Sequence, residues 1–217
     1  MLVAQNIEKS YGDLKILNCV DLQINQGEIV SIVGSSGAGK TTLLQILGTL
    51  DSPDNGTLEI DGINPFQLSS KALSNFRNQS LGFIFQFHQL LPEFNAIENV
   101  MLPALIGGKT KKEAEEMAIP LLLKLGIEQR KNHKPSELSG GEQQRVAVCR
   151  ALINKPKVIF ADEPSGNLDT KKAKDLHELF FKLRDEFNQT FVIVTHNEDL
   201  AQMADRSLIM RDGRFVI

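Results

Sequence analysis

The sequence predicts an α/β fold: a mostly parallel sheet flanked by helices, with antiparallel strands at the front and an inserted helical segment. Three observations predict it. Short apolar runs of strand length, "EIVSIV", "KVIFA" and "TFVIV", each lead into a segment of helical character, as βα units do. The front of the chain instead carries strands that alternate apolar and polar residues. From about Phe87 to Asn154 the strand pattern disappears. A chain of 217 residues has room for one sizeable core, or for one core with a small appended lobe.

In chain order, "LVAQNIEK" and "VDLQI" alternate, and "GTLEIDG" is a strand ended by the Asp61-Gly62 turn. These predict antiparallel strands beside the main sheet. Glu28 to Val33 is a core strand that runs into a glycine-rich loop and the helix "KTTLLQILGTL". "LGFIFQ" is a strand ending at Gln86. "KKEAEEMAIPLLLKLGI" is helical, with Pro120 expected to kink or break it, and Ser139 to Ile153 is helical again. Lys157 to Ala161 and Thr190 to Val194 are strands, followed by helices at Lys171 to Glu186 and near Glu198 to Met203. After the turn "RDGR" no regulatory tail is expected. The reading is a single domain, with its core at residues 1–86 and 155–217 and a helical subdomain at 87–154.

Composition excludes some functions. A formal net charge of −3 gives no electrostatic case for nucleic acid as a partner. No apolar run approaches the ~20 residues that span a bilayer, and the N-terminal stretch lacks the features of a signal peptide. Cys19 and Cys149 stand far apart, outside metal-like spacing, and are expected as small buried apolar residues in a reducing cytosol. The expectation is a soluble cytoplasmic protein, which works at a membrane only through another chain.

"GSSGAGKT", Gly34 to Thr41, fits the P-loop pattern between a strand and a helix and makes the predicted core a P-loop NTPase of RecA-like kind. Gly34, Ser35, Ser36, Gly37, Ala38 and Gly39 form the loop whose backbone N–H groups face the phosphates of ATP. Lys40 is expected at the β- and γ-phosphates, the Thr41 hydroxyl on Mg²⁺ and Thr42 at the α-phosphate. In "VIFADEP" the strand-end Asp162 is placed beside that Mg²⁺, because two adjacent carboxylates at a buried strand end call for a cation. Glu163 is then free to take a proton from the attacking water. His196 ends the strand "TFVIVTH". By itself it reads as a hydrogen-bonded surface histidine; at the carboxyl edge of the sheet it is in place for the γ-phosphate. Gln86 ends "LGFIFQ" in the same way, with two readings: a Mg²⁺ ligand or a contact to the attacking water.

"SELSGGEQQRVAVCRAL" opens a helix on a Gly-Gly pair, a second anion cradle with no lysine. One reading is an ordinary N-cap, with Ser139 capping and Glu142 at the capping-box position. The other is that Ser139, Gly140 and Gly141 embrace the γ-phosphate of a nucleotide held by another copy. That requires a homodimer with two ATP molecules sandwiched between the copies. The two readings are compatible.

Together, "GSSGAGKT", "SELSGGEQQR", "VIFADEP" and "VTH" resemble the ATPase subunits of ABC transporters, in that family's order and over essentially the whole chain. The resemblance implies ATP hydrolysis coupled to transport or to a transmembrane conformational change, driven through an integral membrane permease on the inner face of the cytoplasmic membrane. It implies that Tyr11 stacks on adenine and adds Asp169 to the nucleotide-facing residues. "GTLDSPDNGTLEIDG", "LGFIFQFHQLLPEFNAIENVMLP" and "ADEPSGNLD" resemble the bacterial group that holds lipoprotein-releasing, macrolide-exporter and cell-division ATPases. Gly166-Asn167 is typical of that group, while Ser165 stands where threonine is usual. A macrolide-type membrane segment is missing, which favours the lipoprotein-releasing or cell-division type; the reading is lipoprotein release or export, and the alternatives are a cell-division ATPase controlling a periplasmic hydrolase, or a non-transport ABC ATPase. The last kind carries a long heptad insertion or tandem domains, and neither is present. Leu90, Leu91 and Phe94 have two open readings: a docking surface for the permease, or the small lobe's own core.

Overall fold

The computed structural model describes residues 1–216. In chain order the elements are β1 (Leu2–Tyr11), β2 (Leu14–Ile24), β3 (Ile29–Val33), α1 (Lys40–Leu47), β4 (Asn55–Ile60), α2 (Ser70–Ser80) and β5 (Leu81–Phe85). There follow α3 (Ala96–Ile106), α4 (Lys111–Lys124), α5 (Gly140–Leu152), β6 (Val158–Asp162), α6 (Thr170–Phe187), β7 (Thr190–Val194), α7 (Glu198–Met203), β8 (Arg206–Arg211) and β9 (Arg214–Val216).

The alternating front strands form an antiparallel sheet in the order β2-β1-β4. One face of it buries Leu2, Ala4, Ile7, Leu22, Ile24, Leu58 and Ile60 against α1 and the main sheet, so alternation gives a half-buried sheet. The main sheet has the order β5-β6-β7-β3-β8-β9, parallel throughout except for the edge strand β9. β6 and β7 are buried at almost every position, as continuous apolar runs require when both faces are covered.

Register decides where the site lies. Phe85 pairs with Asp162, and Asp162 with Val194, so these three strands end on a common edge. Gln86, Glu163 and His196 follow one or two residues beyond it, beside the loop after β3. Glu163 N–H donates to Val194 O at 2.9 Å and Thr195 N–H to Ile32 O at 3.1 Å, which carries the pairing past the strand ends.

Between β5 and β6 the described residues form helices and turns and no strand. α3, α4 and α5 bring together Val100, Met101, Ala104, Ala114, Ala118, Leu122, Val146 and Val148, continuous with Ile159, Ala161 and Phe191 on one face of the main sheet.

Two expectations need correction, and three elements add to the predicted set. Pro120 does not break α4, which runs on to Lys124. Proline removes only the N–H that would reach the Glu116 carbonyl. The Thr110–Glu113 capping box and the burial of Ala114, Ala118 and Leu122 hold the helix on both sides of it. Cys19 is exposed rather than buried: Val20, Leu22 and Ile24 fill the buried face of β2, so alternation puts Cys19 on the other, where its thiol donates to Glu8 Oε1 at 3.0 Å. Cys149 is buried as expected, and burial pushes its thiol far above the ordinary range. The helix α2 and the strands β8 and β9 were not foreseen. α2 is mostly polar and buries only Phe76, and β8 buries only Met210, so neither announces itself by periodicity.

Candidate active site

The loop after β3 leads straight into α1, and its backbone must curl tightly to do so. Gly39, the N-cap of α1, is left-handed at φ +100°, and a Cβ there would lie 2.9 Å from the Ile16 carbonyl oxygen. Glycine is the residue that meets both demands. Lys40 is the first residue of α1, and its ammonium lies over the loop, donating to Gly34 O at 2.8 Å and Ser35 O at 2.9 Å. Ala38 is buried and packs inward.

A cleft of about 520 Å³ opens beside this loop. Its lining brings together Gly34, Ser36, Gly37, Gly39, Lys40, Thr41, Thr42, Gln86, Asp162, Glu163 and His196. Eleven of the expected site residues from four separate strand ends therefore meet in one place. Thr41 Oγ1 donates to Asp162 Oδ1 at 3.4 Å. Burial pushes the Asp162 carboxyl above its ordinary value, the hydrogen bond from Thr41 opposes this, and the neighbouring Glu163 charge adds to it. A carboxylate in that position is relieved by a cation. The oxygen donors available, the Thr41 hydroxyl, the Asp162 carboxylate and the Gln86 amide, suit a hard ion such as Mg²⁺.

Glu163 adopts φ +45°, a left-handed conformation that costs a non-glycine residue about 1–3 kcal/mol. The turn Gly166 N–H to Glu163 O, at 3.0 Å, helps to hold it. Its carboxylate accepts from the His196 backbone N–H at 3.2 Å and lies 2.9 Å from His196 Nδ1. The carboxylate is mostly buried, at 19% side-chain exposure, while the His196 ring is open at 72%. A carboxylate sheltered at the cleft wall and an exposed imidazole at its mouth are thus in contact.

Tyr11, Ser139, Gly140, Gly141 and Asp169 do not line this cleft. Ser139 caps α5: it accepts from the Glu142 N–H, and Glu142 accepts in return from the Ser139 N–H at 2.8 Å, as the capping-box reading expects. Ser139 and Gly140 are exposed, and Gly141 is half-buried. Asp169 caps α6 by accepting from Lys172 N–H at 2.9 Å and pairs with the Lys172 ammonium at the same distance. Lys172 also packs over Gly141, where a Cβ would meet its Cδ at 3.2 Å. Tyr11 is half exposed, and its hydroxyl donates to Asp51 Oδ2 at 2.7 Å. That bond holds the phenol above its ordinary pKa and the Asp51 carboxyl below its own.

Sequence reasoning missed the partners that fix these residues: Asp51 for Tyr11, Lys172 for Asp169, and Asn167 for Gln86. It also missed a groove of about 420 Å³ between the sheet edge and the helical region, lined in part by Leu50, Phe83, Phe85, Pro103, Ile106 and Arg150. Of the three residues with two readings, Leu90 packs against the helical core, Phe94 is half-buried and Leu91 is exposed, and none of them lines the groove. The strongest sign of the groove in the sequence was "LGFIF", whose second face stays partly open in β5.

The model of the ABC transporter family matches residues 17–166. Over 213 residues the chain is 62% identical to the lipoprotein-releasing system ATP-binding protein LolD of Bacteroides thetaiotaomicron, covering 98% of both chains. It is 60% identical to the protein of that name from Bacteroides fragilis over 216 residues, covering 100% of both. Among solved structures it superposes on a dimeric bacterial ABC transporter cassette, and on a dimeric post-hydrolysis cassette bound to ADP and Pi. Each superposition has a TM-score of 0.91 at 39% identity, covering 100% of this chain and 97% of the other.

Proposed function

Since the chain belongs to the ABC transporter family, as an ATP-binding and ATP-hydrolysing subunit, we propose that two copies close on two ATP molecules and drive a separate membrane permease that releases lipoproteins. The observation that carries this reading is the split between the two anion cradles. The cleft holds a P-loop, paired carboxylates and a histidine, but the Ser139–Gly141 cradle, open to solvent at Ser139 and Gly140, is not part of it. A capped helix N-terminus with bare N–H groups is suited to an anion, and a second copy supplies one.

In this reading the loop Gly34–Gly39 surrounds the phosphates, Lys40 neutralises the β- and γ-phosphates and Thr42 contacts the α-phosphate. Thr41, Asp162 and Gln86 would hold Mg²⁺, which when bound offsets phosphate charge. Glu163 accepts the proton of the attacking water, and its contacts with the His196 backbone N–H and Nδ1 keep the carboxylate at the wall of the cleft. His196 bonds the γ-phosphate. Tyr11 stacks on adenine, its ring angle set by Asp51. Ser139, Gly140, Gly141 and Asp169 face the partner's nucleotide.

The groove beside β5 is the surface offered to the permease. It is mostly apolar, and Ile106 stands three-quarters exposed at its rim. No helix among the described residues is long and apolar enough to cross a membrane, so attachment to the inner face of the cytoplasmic membrane runs through that partner. The test is a depletion strain. Loss of the chain should leave lipoproteins in the cytoplasmic membrane, restored by the wild type and not by Ile106→Glu, which should keep the ATPase rate of the isolated chain. Normal lipoprotein release in the depleted strain would refute the proposal.

A further inference from the structure

The segment "SGN", Ser165 to Asn167, is fixed more firmly than a surface turn requires. Ser165 is buried, and its Oγ lies 3.1 Å from Nε2 of His177, itself 2% exposed on α6. Burial lowers the His177 pKa, which favours the neutral ring beside Ser165. Leu168 N–H returns to Ser165 O at 3.1 Å, which closes the turn. One side of this segment is therefore anchored into the fold.

Its other side grips Gln86. Asn167 Oδ1 accepts from Gln86 Nε2 at 3.2 Å, and Asn167 Nδ2 donates to the Gln86 backbone oxygen at 3.0 Å. The neighbouring Gly166 gives the room: a Cβ there would fall 2.8 Å from Gln86 Nε2 and 3.1 Å from its Cδ. Alanine at 166 would push the Gln86 amide aside. The absence of a side chain at 166 and the amide at 167 thus bear on the same glutamine.

We propose that Asn167 is a positioning residue that orients Gln86 toward the cleft, with Gly166 as the clearance that permits it. With Nε2 and the backbone oxygen engaged, Oε1 is the side-chain atom of Gln86 without a protein partner among the described residues, and Gln86 lines the cleft. The clamp holds the nitrogen end of the amide and leaves the acceptor Oε1 for a metal ion or water. It also ties two loops with different neighbours. Gln86 directly follows β5, whose Phe83 and Phe85 line the groove, while Asn167 lies two residues before Asp169. A change in the groove that shifts the end of β5 must pull on Asn167. This inference rests on the ATPase reading for its consequence, not for its geometry.

Two measurements separate those. With ¹⁵N-glutamine labelling, the Gln86 side-chain amide is assigned by its loss in Gln86→Glu. It should give a slowly exchanging, well-separated pair of proton signals that collapses in Asn167→Ala and shifts in Gly166→Ala. Asn167→Ala should also lower kcat about tenfold with KM for ATP changed less than about twofold. In a Gln86→Ala background the same substitution should add nothing further, because a positioning residue acts through its target. If Asn167→Ala folds poorly, Asn167→Asp keeps one of the two bonds and should show the partial effect in both assays. An unchanged Gln86 signal in the folded variants would overturn the clamp. Unchanged kcat, or losses that multiply with Gln86→Ala, would overturn the positioning role. A wild type without ATPase activity would sink the ATPase reading, and the amide signals would still decide the clamp.

Discussion

Replacing Glu163 by glutamine removes a base while disturbing little else. The side chain keeps its length, and its amide oxygen can still accept from the His196 backbone N–H, now 3.2 Å from the carboxylate. The left-handed backbone at φ +45° is as strained for glutamine as for glutamate, so no strain is released. What disappears is the capacity to take a proton from water. General-base catalysis supplies roughly 10²–10⁴-fold, so kcat should fall by that factor, equivalent to about 3–5 kcal/mol of transition-state stabilisation. In the proposed reading ATP binding rests on Lys40 and the loop, so it should survive. Nucleotide should then hold two copies together, because the step that releases them is blocked. Steady-state phosphate release gives the rate, and light scattering with and without ATP gives the mass. A variant that hydrolyses ATP within about threefold of the wild type would show that Glu163 is not the base.

Two further outcomes follow from the geometry. Tyr11→Ala should weaken ATP binding by about 1–2 kcal/mol, the scale of an aromatic contact. Tyr11→Phe should lose a smaller amount and be matched by Asp51→Ala, since both free the ring from its hydrogen bond. A nucleotide titration of the three variants checks the order, and a Tyr11→Phe loss as large as that of alanine would remove the stacking role. The Asp162 carboxyl is raised by burial, so the folded state binds its proton more tightly than the unfolded chain. Its penalty is therefore present at neutral pH and fades as pH falls through the raised value toward the ordinary one. Asp162→Asn should raise the Tm of the nucleotide-free protein at pH 7, by an amount that shrinks toward pH 4. A difference that grew on acidification would contradict that sign.

How much was legible depends on whether a residue's role lies in the backbone pattern or in a distant partner. The strands before Gly34, Asp162 and His196 are short, predominantly apolar runs, as a parallel sheet buried on both faces needs, so their ends could be placed without the structure. Ser139 and Glu142 stand three apart, and a capping box is a local arrangement. Pro120 misled because a local rule was applied where packing of Ala118 and Leu122 decides. Cys19 misled because the general burial of free cysteine was applied to it, although alternation from Val20, Leu22 and Ile24 places it on the open face of β2. Asp51 lies 40 residues from Tyr11, and Asn167 lies 81 from Gln86. Contacts of that range follow from topology, which no local pattern contains.

The claim on which the functional reading turns is that each nucleotide is shared between two copies. It is tested most directly by mixing Lys40→Ala chains with Ser139→Arg chains. Each homodimer has both composite sites broken, one through its P-loops and the other through its Ser139–Gly141 cradles. If the sites are shared, the mixed dimer gathers both defects into one site and leaves the other intact. If each chain used its own cradle, every site in the mixture would carry one defect. Sharing predicts that the mixture regains ATP-dependent dimerisation and binds about one nucleotide per two chains, whereas neither variant alone does so. A mixture that binds and dimerises no better than the separate variants would contradict it.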